Sequence, residues 1–575
     1  MIKIFVLLPI LYLLFACSGS YFEDRNFSFE NKKPDKFSWG HFTNHSGVVV
    51  KDTLDFVDGK QSLQFRGVLA NYFETYLMQT FLLPAKTRQI EISIYSKSNI
   101  IEDAWLKVWC LDHDEAILIK DSVSIVSSGK WNRFGMKLKV PLAEKMYIEI
   151  ASKAKDTLVM DFENIQFLKI DKLQLDCNGK NIYKYHIPKS KTVRFQNNRI
   201  IEIDTITIKG VAKIPSFENH RIIALGESVH GSKQVQAISY EIIKYLIENE
   251  NCRLVLLELP FELGLLLNDH VMGYTNENIT ELLTLIAIDV DQFTRFINWV
   301  KDYNTKTKKK VAICGIDDSK GVLQSYYLWA FINNQHLIPD SIIPLRQFLV
   351  KNDMKSALQL VCNNTVFNEL DSIKKPCMIR ALEMRWKKNN PATYLMEGNR
   401  EYMQFINTQF AINIWLPDSA KAVIYAHLLH VNKKNQWTGR PYIPNFGNYM
   451  VKEYGKEYFV AGMLVGEGYI SNNDMTGTWC DLPLEKPVGG SIEKSCMNMY
   501  KPFFYMDLDG EPSSHFIRTL GAAYLSNQFF SYSYKNRMDA LFFIRHSEGY
   551  RLPECWPAKK EKIEEFLRNR FLLKY

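Results

Sequence analysis

The spacing of apolar residues changes period near residue 180. Before that point, short segments alternate apolar with polar positions: Gln89–Tyr95 (QIEISIY), Trp105–Cys110 (WLKVWC), Phe134–Val140 (FGMKLKV), Tyr147–Ala151 (YIEIA) and Leu158–Phe162 (LVMDF). Polar turns such as Ser127-Ser128-Gly129-Lys130 separate them. Successive side chains of a strand point to opposite faces, so this pattern predicts half-buried strands, and several at fairly regular spacing predict an antiparallel β-sandwich over residues 17–175. From Asp171 to Arg199 the alternation is lost, and residues 176–200 read as a linker.

Over residues 201–575 the strand-like runs are apolar throughout: Ile222–Leu225, Leu254–Leu257, Val311–Ile316, Val423–Ala426, Tyr458–Met463 and Ala540–Ile544, with helical stretches between them. Strands buried on both faces read this way, which predicts an α/β layered domain with a mainly parallel sheet. The stretch Arg221 to Pro260 sets the pattern. A strand stops at Gly226, a turn carries Glu227 and His230, a helix is predicted from about Ser232 to Glu250, and a second strand ends on Glu258. Two more strands end in ionisable groups, Gly315-Ile316-Asp317-Asp318 and Ala426-His427-Leu428-Leu429-His430.

Ligands of such sheets bind outside the carboxyl ends of the strands, so these groups are expected to meet at one rim. A carboxylate beside an imidazole raises its pKa and fixes its tautomer, which poises a general base. Taken singly, a Glu or His at a strand end is more often a helix cap or a solvated loop residue; their recurrence at the same end of successive strands favours a site. Gly226-Glu227-Ser228-Val229-His230 starts like the G-x-S-x-G elbow, but its fifth position is His where the sharp turn needs a small residue, so a nucleophilic Ser228 is the lesser reading.

The chain opens with Met1, Lys3 and an apolar run from Ile4 to Ala16 interrupted by Pro9, too short to span a bilayer and placed like a signal-peptide core. Leu14-Phe15-Ala16-Cys17-Ser18 resembles the lipobox of bacterial lipoproteins. Residues 1–16 would then be removed and Cys17 lipidated, giving an exported, membrane-anchored protein facing the periplasm or the cell surface, held through its lipid. An ordinary secretory signal with a chance cysteine is the other reading. An apolar fraction of 46% argues against disorder, and the net charge of +8 is spread over clusters mixed with polar and acidic residues, so no nucleic-acid partner is expected. The remaining cysteines lack CxxC spacing and form neither a disulfide framework nor a zinc knuckle.

Gly59-Lys60-Gln61-Ser62-Leu63, Trp131-Asn132-Arg133-Phe134 and Met160-Asp161-Phe162-Glu163-Asn164 look like parts of the jelly-roll modules that often bind carbohydrate. A glycan is thus a candidate partner of the N-terminal domain, beside a spacer or docking role. Trp105, Trp109 and Trp131 lie in strand patterns where core burial is the default.

In the C-terminal domain, LGESVHGSKQ, the Glu in LLELPFE, Asn399-Arg400-Glu401-Tyr402-Met403, VIYAHLLHV and PNFGNYMVKEYGKEYFVAGMLVGEG resemble the erythromycin esterase family from about Arg221 to Gly468, extending to Tyr575, with the motifs in the expected order. The resemblance implies hydrolysis of an ester or lactone in a small molecule by activated water, with no metal and no cofactor. It implies His230 as the base, Glu227 and Glu258 as supporting carboxylates, and His427 as the group that polarises the carbonyl or meets the developing oxyanion. His430, Arg400 and Lys233 are then candidates for substrate binding, although Arg400 reads equally as a helix-surface partner of Glu397 or Glu401. The family usually has a basic residue where this chain has Ser239, and Asp where it has Glu401, so a macrolide substrate is not implied.

Two other readings stay open. The same residues would serve a metal-dependent hydrolase or peptidase, with His230, Glu258, His427 and His430 as ligands, provided the chain turns after His427. A glycan-binding surface protein without turnover is the third.

Overall fold

This computed structural model describes the chain apart from residues 1–21, 25–39, 68–71, 156–166, 187–193, 196–199, 204–210, 390–399, 435–443, 474–478, 512–515, 522–527, 551–555 and 573–575, and gaps of one to three residues. The predicted strand Leu158–Phe162, Glu397 and the lipidation site Cys17 lie outside the described residues. The chain divides into two compact units. One comprises residues 1–192 with 437–441 and 531–533, and the other comprises the remainder.

The first unit is an antiparallel sandwich. Strands β1 (Gly40–Thr43), β2 (Gly47–Asp52), β3 (Ser62–Gly67), β4 (Tyr72–Leu82), β5 (Gln89–Asn99), β6 (Asp103–Leu111), β7 (Ile117–Ser124), β8 (Asn132–Lys139), β9 (Lys145–Lys155) and β10 (Phe167–Cys177) form a five-strand sheet ordered β1-β4-β9-β6-β7 and a six-strand sheet ordered β2-β3-β10-β5-β8, whose sixth strand, Lys180–Asn181, pairs with β10. Inward residues of both sheets, among them Leu106, Val108, Ile148, Ile150, Ile90, Ile92, Ile94 and Ile170, are fully buried together. The alternation therefore predicted this core directly.

One expectation is corrected. Asp171–Cys177 is not the start of a linker but the second half of β10, paired with β5. The ladder shifts register between Asp171 and Gln174, where Lys172 takes a φ of 43°, and the buried set changes phase from Leu168 and Ile170 to Leu173, Leu175 and Cys177. A bulge adds one residue and flips every later side chain, which is why a strict two-residue period loses the strand there. Core burial is also uneven among the tryptophans: Trp109 is buried, whereas Trp105 and Trp131 are half-buried. Trp109 pairs edge-on with Tyr147 outside the main core cluster, and the two are 4% and 2% exposed, so neither offers a free ring face to a sugar.

The second unit is a layered α/β domain. The strands of its large sheet are β11 (Ile200–Glu202), β12 (Ile222–Glu227), β13 (Cys252–Pro260), β14 (Ala312–Asp317), β15 (Lys421–His427), β16 (Tyr458–Asn473), β17 (Trp479–Pro483), β18 (Phe503–Asp507) and β19 (Ala540–Ser547). The main sheet runs β11-β18-β19-β16-β12-β15-β13-β14, with β17 paired to β16. All pairings from β19 to β14 are parallel, while β11, β17 and β18 pair antiparallel. The six apolar runs are the six parallel strands, and the sheet is mainly parallel as expected. Ile222 to Leu225 are completely buried, at about 1.5–3 kcal/mol of stabilisation for each large aliphatic side chain.

Helix α1 (Lys233–Asn249) follows β12. Ser232 caps it by accepting from Val235 N, and Val235, Ile238, Ile242, Ile243 and Leu246 form its buried stripe at helical spacing. Among the described residues no helix is long and apolar enough to cross a membrane.

Candidate active site

The register of the parallel strands brings the site together. Glu227 ends β12 directly beside His427, its partner at the end of β15, and Leu257 of β13 pairs with Tyr425, placing Glu258 next along the same rim. Gly226 lets the following turn pack closely: a Cβ would meet Leu428 Cδ1 at 2.7 Å and Val431 Cγ2 at 2.8 Å, so those side chains would have to shift. β15 ends at His427 and turns at once into the short helix α2 (Leu428–Val431). The turn folds His430 back, so the rings of His427 and His430 lie 6.3 Å apart rather than on opposite faces of a strand.

His230 and Glu227 form the first cluster. His230 Nδ1 lies 2.7 Å from Glu227 Oε1, and Tyr425 donates to Glu227 Oε2 at 2.6 Å. Burial opposes charge on the imidazole, but Glu227 and then Glu258 outweigh it, and the pKa of His230 is raised. Glu227 accepts a hydrogen bond from Nδ1–H, so in the neutral ring Nε2 keeps its lone pair, and among the described residues nothing bonds to it. Burial and the adjacent Glu227 hold the Tyr425 hydroxyl protonated, with its pKa well above the ordinary value. The turn that carries His230 is fastened by backbone: His230 N donates to Leu520 O at 2.9 Å, and Leu520 N donates to Ser228 O at 2.9 Å.

The second cluster surrounds Glu258. His427 N donates to Glu258 Oε2 at 2.6 Å, while Glu258 Oε1 meets Arg400 Nη2 at 2.8 Å and His430 Nε2 at 3.3 Å. Arg400 opens helix α3 (Arg400–Trp415) and holds Asp317, at the end of β14, through Nε and Nη2, both at 2.8 Å. His430 Nδ1 lies 2.7 Å from Glu401 Oε1, and the other oxygen of Glu401 accepts from Phe446 N at 2.8 Å. Against the cost of burial, Glu401 and Glu258 push the His430 pKa up to about 10, so it is an imidazolium with both N–H groups donated to carboxylates. Burial opposes ionisation of Glu258, but His430 and then Arg400 hold its pKa well below the carboxylate range.

His427 differs from both. Burial and the neighbouring His230 push its pKa well down, so it is neutral, and its ring centroid is 4.6 Å from that of His230. Nε2 faces Leu520 O at 3.2 Å and Nδ1 accepts from Leu429 N at 3.3 Å. Both ring nitrogens are thus turned to backbone rather than to open space, and the ring is 2% exposed.

The other expected residues fall as follows. Arg400 pairs with the carboxylates of β13 and β14 rather than with Glu401 along its own helix. Lys233 sits 3.5 Å from Glu548, and it does not line the cavity beside His230. His430 is buried between two carboxylates, which leaves it no hydrogen for a substrate. Ser228 is completely buried and its Oγ has no hydrogen-bonding base, so the nucleophile reading fails on geometry. Ser239 is likewise completely buried on α1. Among the described residues no group of three or more His, Cys, Asp and Glu is arranged to hold a metal ion, and the lone pairs that would bind one are engaged at His427 and protonated at His430.

A cavity of about 220 Å³ opens beside His230 and Glu227, lined also by Gln236, Tyr240, Phe293, Tyr425 and Tyr550. Sequence reading passed over Tyr425 and Glu401 as partners. Tyr425 sits in the run VIYAH two residues before His427, the spacing that puts it on the same face of β15, and that was the available signal.

The erythromycin esterase family model matches residues 377–547. Over 98 residues the chain is 28% identical to erythromycin esterase type II of Escherichia coli, a match spanning 17% of this chain and only 23% of that protein's length. A crystal structure of a Bacillus cereus protein covers 62% of this chain and 97% of its own, at 17% identity and a TM-score of 0.50, a likeness of fold. An erythromycin esterase mutant solved in its open conformation covers 63% of this chain and 99% of its own, at 14% identity and a TM-score of 0.42. A carbohydrate-binding module in complex with β-1,4-galactotriose covers 28% of this chain and all of its own, at 16% identity and a TM-score of 0.21.

Proposed function

We propose that the C-terminal unit, which the erythromycin esterase family model matches over residues 377–547, hydrolyses an ester or lactone of a small molecule through water activated by His230. The observation that carries this reading is the free Nε2 of an imidazole whose Nδ1 is fixed by Glu227, facing an open cavity. Water on Nε2 loses its proton to the ring as it attacks the carbonyl carbon. Glu227, oriented by Tyr425, stabilises the imidazolium that forms, and the same proton is then available to the leaving alkoxide. His427 stays neutral 4.6 Å away, so it adds no positive charge beside that step, and Glu227 outweighs the more distant His430 cation. Glu258, Arg400, Asp317, Glu401 and His430 hold the rim rigid. No metal is assigned a role.

We further read the chain as an exported lipoprotein anchored at Cys17, on the strength of its leader-like opening. The sandwich is assigned a docking or glycan-binding role, in which a sugar would stack on the half-buried Trp105 or Trp131 rather than on Trp109.

The test is turnover of a panel of carboxylic esters and lactones, with and without chelator. Hydrolysis that survives chelation and disappears in His230→Ala supports the reading. Loss on chelation would favour a metal-dependent hydrolase, and glycan binding without turnover would favour a binding protein.

A further inference from the structure

We propose that His427 is a positioning residue, acting through the Leu520 carbonyl to hold the backbone of His230, and that the segment Phe516–Leu520 is the clip that joins them. The kinetic part of this proposal rests on the hydrolase reading above; the hydrogen-bond geometry does not.

One oxygen carries the link. Leu520 O accepts from His230 N at 2.9 Å and faces His427 Nε2 at 3.2 Å. The other ring nitrogen decides the tautomer of His427. Nδ1 accepts from Leu429 N at 3.3 Å and so carries no proton, and the neutral ring bears its one hydrogen on Nε2, aimed at Leu520 O. A carbonyl oxygen has two lone pairs, and each histidine takes one. The hydrogen of His427 is thus donated to main chain, which leaves none for a substrate carbonyl.

The clip is itself anchored from below. Phe516–Arg518 is a short strand, and Arg518 is completely buried. Its guanidinium donates to Val465 O at 2.7 Å, to Gly466 O at 2.9 Å and to Glu485 O, and lies 4.7 Å from the centre of the Phe529 ring, while Arg518 N donates to Glu493 Oε1 at 2.8 Å. Two residues further on, Leu520 N donates to Ser228 O at 2.9 Å, so Leu520 grips the turn on either side of Val229. Elsewhere the turn is tied by Ser228 N to Met463 O at 3.0 Å and by Ser471 N to Gly231 O at 2.9 Å. Among the described residues these ties of the turn are all main chain to main chain, and His427 brings the one side chain that bears on Leu520 O. Loosening that carbonyl lets the His230 backbone drift, and a misplacement of about 1 Å in a reacting group costs about 10²-fold in rate.

Two substitutions separate the two nitrogens. An Asn amide reaches the position of Nδ1 and a Gln amide that of Nε2, so His427→Asn keeps the bond from Leu429 and loses the one to Leu520, and His427→Gln does the reverse. Neither changes the charge of the neutral ring. Each gives up one hydrogen bond, so their unfolding midpoints should agree, and a merely structural role would move both variants alike. On an ester that the native protein turns over, kcat should fall about 10- to 100-fold in His427→Asn with KM within about twofold, and recover to within about fivefold of native in His427→Gln. Hydrogen exchange without substrate should be at least about tenfold faster at the His230 amide in His427→Asn than in His427→Gln, while Ile223, completely buried in β12, stays protected in both. Equal loss of kcat in the two variants overturns the proposal. So does a lower kcat in His427→Asn with native exchange at His230, which would put His427 on the substrate instead. Should either variant not fold, the native protein still decides: ¹⁵N NMR should show His427 as the Nε2–H tautomer with a coupling across the hydrogen bond to the Leu520 carbonyl carbon, and an Nδ1–H tautomer would overturn the link. The expected exchange pattern without turnover of any ester would sink the hydrolase reading alone; turnover without the exchange difference would sink the positioning role alone.

Discussion

The two halves of the strand rim are made from the same residue types and do opposite things. On one side, Glu227 and Tyr425 hold a single nitrogen of His230 and leave the other open to a cavity. On the other, Glu258, Arg400, Asp317, Glu401 and His430 close every ionic partner onto another. A histidine with one carboxylate is a base with a poised lone pair; a histidine between two carboxylates is a fixed cation. Proximity of His and Glu therefore does not identify a catalytic group. The count of engaged ring nitrogens does.

This contrast is broken most strongly from the closed side. His430→Ala would leave Glu258 and Glu401 buried without their shared cation, and loss of one partner of a buried pair costs about 3–5 kcal/mol. Denaturant unfolding should register that loss. His230→Ala should lower the unfolding midpoint less than His430→Ala, because the His230 side chain is 25% exposed and Tyr425 still holds Glu227, while kcat falls by about 10²–10⁴, the usual contribution of a general base, measured on whichever ester proves to be a substrate. Arg400→Met ranks below these, because the Arg400 side chain is 44% exposed and solvent screens its two ion pairs; a destabilisation of about 1–2 kcal/mol is expected in the same unfolding assay.

Two pH experiments sharpen the same comparison. Glu227 raises the pKa of His230, so activity should climb as pH rises through a value above 6.5, and Glu227→Gln should move that acid limb to lower pH while reducing the plateau. His430 is raised to about 10, so its contribution to stability is complete below the unfolded value near 6.5 and is lost progressively as pH rises towards about 10. Unfolding midpoints measured across that window should fall in the native protein and fall less steeply in His430→Asn. The smallest effect belongs to Tyr425→Phe. It removes one hydrogen bond to a charged group, worth about 1.5–3 kcal/mol, only part of which reaches the transition state, so kcat should drop by about three- to tenfold with KM little changed.

Much of this was legible in the chain. The apolar runs gave the six parallel strands because strands buried on both faces carry a nearly continuous signal, and the helix expected from about Ser232 is α1, which Ser232 caps. The antiparallel strands β11 and β18 were missed: β11 has three residues, and β18 has five and lies outside the parallel repeat of strand and helix. At the site, strand ends located Glu227, His230, Glu258, His427 and Asp317, since parallel register stacks equivalent positions side by side. Which nitrogen of which imidazole is engaged depends on residues far away in sequence. Leu520 lies 93 positions from the His427 it faces, and Glu401 lies 29 from His430. No periodicity encodes those distances, and so the expected role of His427 at the carbonyl and of Lys233 at the substrate found no support in the geometry. The phase change at Lys172 hid half a strand for a comparable reason, a single residue out of register.

The division of labour among the three histidines is tested most directly by following their ring nitrogens with ¹⁵N NMR across pH 5–10. The account predicts that His230 titrates above 6.5 and is the Nδ1–H tautomer when neutral, that His427 stays neutral throughout, and that His430 remains doubly protonated until about pH 10. A His430 that loses its proton near 6.5, or a neutral His230 carrying its proton on Nε2, would contradict it.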